Sequence, residues 1–153
     1  MLARTHFVLA LFFILFFFLD VQGPVIFFSV FLLASIIPDI DTPFSKVGKI
    51  KLFRILNFFT KHRGIIHSLT FMFFISSFFL FFKNSFWLAF VLGYSSHLIL
   101  DCFTVQGVRL FYPFKLKIKG FVKTNGLIEN LLFTFLFLTD LFLIIRLIFR
   151  FWG

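Results

Sequence analysis

A single cysteine, Cys102, stands in the 153 residues. It has no partner for an internal disulfide and belongs to no C-x-x-C pair, so it marks neither a disulfide framework nor a redox compartment. Packing is the ordinary role of such a thiol, and its place beside Asp101 leaves ligation as the alternative. Charge is also scarce: 14% of the residues are charged, against 61% hydrophobic. That is too little polar surface for the shell of a water-soluble domain, and it marks an integral membrane protein. The length excludes two ordinary domains, so residues 1–153 are read as one integral membrane domain. No small-residue cleavage site accompanies Phe17-Phe18-Leu19-Asp20, so the first apolar run is a retained helix rather than a secretory signal. No nucleic-acid recognition motif accompanies the net charge of +9. Membrane topology and attraction to anionic lipid explain that charge, and no nucleic-acid partner is expected. The 32 Phe residues are spread through every apolar segment, where Leu or Ile would serve equally well, and are assigned no function.

What is present is a set of five apolar segments. They run from about Phe7 to Leu19, Val25 to Ile37, Ile65 to Phe82, Phe86 to Phe103 and Leu127 to Phe149. The first two are shorter than the ~20 residues of a straight span, and Gly23-Pro24 turns between them, which predicts a short helical hairpin. Lys83-Asn84 is the turn between the third and fourth. From Phe44 to Thr60, apolar Phe44, Val47, Ile50 and Phe53 interleave with Lys46, Lys49 and Arg54 at helical spacing, as in a basic helix lying in the interface. Lys115 to Lys119 alternates with period two, as a strand or extended surface segment does. The expected fold is all-α: a polytopic transmembrane bundle of about five helices with a basic interfacial helix. Following the chain across the membrane puts every Lys and Arg except Lys83, Arg146 and Arg150 on the side where it begins. By the positive-inside rule that side is cytoplasmic and the C-terminus is outside.

The same tracing carries His6, Asp39, Asp41, His62, His67, His97 and Asp101 to the cytoplasmic ends of the helices. Ionisable groups at membrane depth are expensive and usually functional. His97 and Asp101, at i and i+4, share a helix face about 6 Å apart and can reach one cation; a buried His-Asp hydrogen bond is the bland alternative. Pro38-Asp39-Ile40-Asp41 sets two carboxylates at alternate positions, a spacing suited to oxygen ligation. Equally, Asp41-Thr42-Pro43 reads as a helix cap. The stretch His62-Arg63-Gly64-Ile65-Ile66-His67-Ser68 places two imidazoles and a guanidinium around a helix start. The Arg63 fork matches phosphate, which makes it a candidate catalytic residue. Glu129 opens the last helix and shares a face with Asp140 eleven residues on. It is read either as a general base or supporting contact at the site or as a helix-capping carboxylate.

Four blocks together resemble the YdjM-like family of membrane-bound metal-dependent hydrolases. They are Thr5-His6, the P-D-I-D of Pro38 to Asp41, the H-R-G-I-I-H-S of His62 to Ser68, and Gly93-Tyr94-Ser95-Ser96-His97 continuing to Asp101, with Thr104, Gly107 and Tyr112-Pro113-Phe114 following. The family usually has Thr where this chain has Ile66. The resemblance implies a polytopic protein of a bacterial or archaeal cell membrane with a metal-dependent hydrolytic site.

Imidazole and carboxylate without thiolate favour Zn²⁺, with Mn²⁺ or Fe²⁺ as alternatives, and more than four ligands leave room for two ions. A divalent metal lowers the pKa of water towards ~7 and polarises a phosphoryl or acyl oxygen. At headgroup depth the natural substrate is a phospholipid or a lipid-linked phosphate. The competing reading is a non-catalytic structural or assembly protein stabilised by metal. An ion-coupled transporter fits less well, since neither a midplane cluster nor an inverted repeat is evident.

Overall fold

The computed structural model describes residues 1–18, 21, 23–41, 65–81 and 84–152; the side chain of Asp41, the expected interfacial helix over 44–60, and His62 and Arg63 lie outside them. Five α-helices are described: α1 Ala3–Phe17, α2 Pro24–Ile36, α3 Leu69–Phe79, α4 Asn84–Cys102 and α5 Leu127–Trp152. A 3-10 turn, Ile37–Asp41, continues α2. No strand occurs among the described residues, only isolated bridges from Thr104 to Val122 and from Val108 to Ile118. Lys115 to Lys119 is an exposed segment in which Ile118 pairs with Val108. Two helices are long and apolar enough to cross a membrane, over Ser85–Cys102 and Leu127–Trp152. At 15, 13 and 11 residues, α1, α2 and α3 fall short of the ~20 a straight span needs.

Local chemistry sets the helix ends. Gly23 takes a left-handed φ of 66° and Pro24 follows as the first helical residue, a start that needs no amide donor there. The third helix begins at Leu69, four residues later than its apolar pattern predicts, because Ser68 caps it. The Ser68 hydroxyl accepts from Phe71 N at 3.1 Å, which leaves Ile65 to His67 in a turn. By contrast α1 begins at Ala3, four residues before Phe7. Its free amide end is served by a carboxylate from α5: Leu2 N and the Thr5 hydroxyl both donate to Glu129 Oε1, at 2.6 and 2.9 Å.

Helix packing in a bilayer gains little from hydrophobicity and depends on close approach. Ala10, Ala34 and Ala89 are fully buried and supply it. Gly93 meets the Phe31 backbone so closely that a Cβ there would lie 2.2 Å from the Phe31 carbonyl oxygen. One turn on, His97 meets Ser35. The pairs Phe31–Gly93 and Ser35–His97 advance together, so α2 and α4 run parallel. Ring stacking of Phe79 on Phe90 and the Ser95–Met72 contact advance in opposite order, so α3 is antiparallel to α4. α1 and α5 run parallel, with Arg4 bonded to Asn130 and Leu9 and Leu132 in one apolar cluster. The starts of α1, α3 and α5 and the ends of α2 and α4 therefore meet at one end of the bundle.

Candidate metal centre

On α4, Ala89, Gly93, His97 and Asp101 recur every fourth residue and form one stripe. The two small residues let α2 approach, and the next two turns carry the ligating groups. His97 Nδ1 lies 2.8 Å from the Ser35 carbonyl oxygen. A carbonyl only accepts, so Nδ1 carries the proton and Nε2 keeps its lone pair. That lone pair is on the side of two carboxylates: Asp39 Oδ1 at 3.8 Å and Asp101 Oδ2 at 4.0 Å. Backbone carbonyls behind a ligating histidine commonly fix its tautomer in this way.

Two more imidazoles close the ring. His6, in the first turn of α1, stacks on His97 with centroids 3.8 Å apart and planes 8° from parallel. Its Nε2 is 3.5 Å from Asp101 Oδ1. His67, in the turn held by Ser68, meets His97 edge-on at 5.5 Å, and its Nε2 is 3.8 Å from Asp101 Oδ2. That turn is anchored from two sides. The Tyr94 hydroxyl donates to Ile66 O, and Leu69 N donates to Leu110 O at 2.8 Å. Asp39 arrives on the 3-10 turn after Pro38. The amino group of Met1 also contacts Asp101.

Burial gives this arrangement its meaning. His67, His97 and Asp101 are at most 1% exposed and His6 is 5% exposed. Both nitrogens of His6, and Nε2 of His97, have no hydrogen-bond partner among the described residues. A buried polar atom left unpaired costs about 1–3 kcal/mol, so several such atoms facing two carboxylates call for a common partner. Ligands about 2.0–2.1 Å from a tetrahedral ion lie about 3.3 Å from one another, close to the 3.5–4.0 Å separations found here. The donor atoms fall into two overlapping groups, His6–Asp39–His97 and His67–His97–Asp101, each within 4.8 Å. The donor set fits a divalent cation.

The fold thus brings together His6, Asp39, His67, His97 and Asp101 from four segments. Asp41 contributes its backbone to the 3-10 turn, while its side chain, His62 and Arg63 lie outside the described residues. Glu129 is fully buried and stands behind the ligands. One oxygen accepts from Leu2 N and the Thr5 hydroxyl, and the other accepts from Asn125 N at 2.6 Å. It joins the start of α5 to the turn that carries His6. Sequence reading overlooked Thr5 and Ser35 as participants. Thr5 carried a signal, as the hydroxyl preceding His6, but Ser35 acts through its carbonyl, which every residue possesses.

The YdjM inner membrane protein family matches residues 1–152. The chain belongs to the YdjM family. Uncharacterized protein YvsG of Bacillus subtilis (strain 168) is 34% identical to this YdjM-family chain over 104 residues. That stretch covers 63% of the chain and 64% of YvsG. No solved structure matches. Membership, together with the apolar helices, makes this YdjM protein a membrane protein.

The Thr5–Glu129 bond predicts a graded effect on the centre. Thr5→Val keeps shape but removes the donor to Glu129, so affinity for added metal should fall, by less than the ~10–100-fold of a group bonded directly to a ligand. Thr5→Ser should restore it. Metal titration of the purified variants checks both.

Proposed function

We propose that this YdjM-family protein is a membrane-embedded, metal-dependent hydrolase acting on a phosphoester of a lipid or lipid-linked substrate. The observation that carries the reading is the His97 imidazole, locked by Ser35 with Nε2 turned towards Asp39 and Asp101 inside a buried ring of three histidines. His6, Asp39, His67, His97 and Asp101 would hold the ion, and Zn²⁺ suits this donor set, with Mn²⁺ or Fe²⁺ as alternatives. Such an ion supplies Lewis acidity and lowers the pKa of water. In hydrolysis the water oxygen bonds to phosphorus, the ester P–O bond breaks, and the leaving oxygen takes a proton. The chain's contribution is positional. His97 is held in one tautomer, His6 is fixed through Thr5 and Glu129, and the Asp39 side chain, 15% exposed, marks the edge open to substrate and water. Arg63 supplies a fork for the phosphate.

The basic loop after α4 supports a negatively charged substrate. It is rooted at the site, since the Thr104 hydroxyl donates to Asp101 O at 2.7 Å and Gly107 N and Gly120 N both donate to Thr104 O. It exposes Arg109, Lys115, Lys117, Lys119 and Lys123 among exposed Phe111, Phe114 and Phe121. This mixture of cations and aromatics suits an anionic headgroup layer and supports a site at the cytoplasmic face.

A non-catalytic, metal-stabilised structural protein is the second reading. Near-complete burial of His67, His97 and Asp101 favours it, because closed sites are typically structural. Arg63→Ala separates the two. An enzyme should lose at least tenfold in hydrolysis of a phosphate-bearing lipid with bound metal and melting temperature unchanged; loss of folding without any hydrolysis in the parent protein supports the structural role. Orientation is a separate expectation: a cysteine at Lys117 should react with an impermeant maleimide in inverted vesicles and not in right-side-out ones.

A further inference from the structure

We infer that the centre is built for two metal ions bridged by the Asp101 carboxylate. This rests on the metal-centre reading above and deepens it. Among the described residues the donors form two groups of three rather than one group of five. A six-coordinate ion with ligands at about 2.1 Å keeps all of them within about 4.2 Å of one another, so one ion cannot gather five donors spread over two groups. An imidazole nitrogen has one lone pair and serves one ion. His97, common to both groups, therefore cannot be the bridge, whereas a carboxylate has two oxygens.

Asp101 already divides its oxygens. Oδ1 is 3.5 Å from His6 Nε2 and also holds the Met1 amino group, which an ion there would displace, while Oδ2 is 3.8 Å from His67 Nε2 and 4.0 Å from His97 Nε2. His67, His97 and Asp101 Oδ2 would hold one ion; His6 and Asp39, from the other group, would hold the second, with Asp101 Oδ1 reaching it on the His6 side. The stacked rings of His6 and His97 carry their Nε2 atoms side by side, one for each ion. His6 is 5% exposed with neither nitrogen hydrogen-bonded among the described residues, and His97 Nε2 is likewise unpaired. An ion for each imidazole answers both.

Charge adds a consequence. One divalent ion balances Asp39 and Asp101, while two leave a surplus of positive charge, to which the Met1 amino group adds. A phosphoester dianion offsets most of that surplus, and paired ions stabilise both the entering and the leaving oxygen of an in-line displacement.

The test is metal stoichiometry of the full-length protein in detergent, loaded with Mn²⁺ and freed of excess, read by elemental analysis and electron paramagnetic resonance. The expected result is two ions per chain with the spectrum of an exchange-coupled pair. Asp39→Asn should keep one ion and show an uncoupled spectrum, and His6→Ala should match it. One ion per chain in the parent protein overturns the bridged pair and leaves the metal-centre reading standing. No bound ion in a folded parent protein overturns both. Two uncoupled ions, or loss of both ions in folded Asp39→Asn protein, also overturns the bridging assignment.

Discussion

His97→Ala should strip the ion it holds with His67 and Asp101, and His67→Ala, from another segment of the chain, should weaken that ion comparably. Groups that merely orient a ligand are worth about 10–100-fold in metal affinity, so loss of the best-positioned ligand should exceed about 100-fold. His97 holds that place because its ring is fixed by Ser35 and its Nε2 faces both carboxylates. A second readout follows from linkage. At free metal 100 times Kd, binding adds about 2.7 kcal/mol to the folded state, so a chelator should lower the melting temperature of the parent protein. In His97→Ala the chelator should change less. The competing account is a local hydrogen bond between His97 and Asp101, which sit at i and i+4. That account confines the effect to α4 and leaves His67→Ala, on a different segment, with as much metal as the parent protein. Pairwise combinations decide between them. Residues sharing an ion should be strongly non-additive, since the first loss already frees it. His97→Ala retaining as many ions as its parent, with additive stability losses, rules out shared ligation.

Much of this centre was legible because membrane depth makes a histidine or aspartate conspicuous. His97 and Asp101 are one turn apart on a helix, and the up-and-down order of the segments brings the starts of α1 and α3 and the ends of α2 and α4 to one end of the bundle. The places where the reading fell short share a physical cause, namely partners distant in sequence. Nothing near Ala3 announces a helix start, because the carboxylate that serves it is Glu129. The turn at Ile65 to His67 was concealed by apolar residues that continue the helical pattern, although Ser68 is a recognisable cap and sets His67 outside the helix. Alternation of segments also says nothing about which helices touch. The parallel seam between α2 and α4 depends on small side chains at matching heights, visible as Ala34, Ala89 and Gly93 only once their partners are known.

That seam yields the largest stability prediction. In a helix interior Ala is intrinsically favoured over Gly by about 1 kcal/mol, so Gly93→Ala would stabilise α4 if space allowed. Space does not allow it. The added Cβ would lie 2.2 Å from the Phe31 carbonyl oxygen and 2.9 Å from its carbon, and a helix backbone cannot swing aside as a side chain can. Overpacking of this kind costs about 1–3 kcal/mol, which outweighs the propensity gain. A branched residue forces still more movement, so Gly93→Val should prevent stable folding in detergent. The displacement also has a chemical signature. Relieving the contact separates α2 from α4 by roughly 1 Å, and the 2.8 Å contact from His97 Nδ1 to Ser35 O one turn away would stretch beyond hydrogen-bond range. With that partner lost, His97 is free to turn or change tautomer, and metal affinity should fall along with stability. The control is Leu92→Ala, at a neighbouring residue 45% exposed on the outer surface of α4, which should leave both metal content and melting temperature nearly unchanged. Melting curves with and without added Zn²⁺ for the three variants provide the check, and a Gly93→Ala protein as stable as its parent would show that α2 and α4 do not approach this closely.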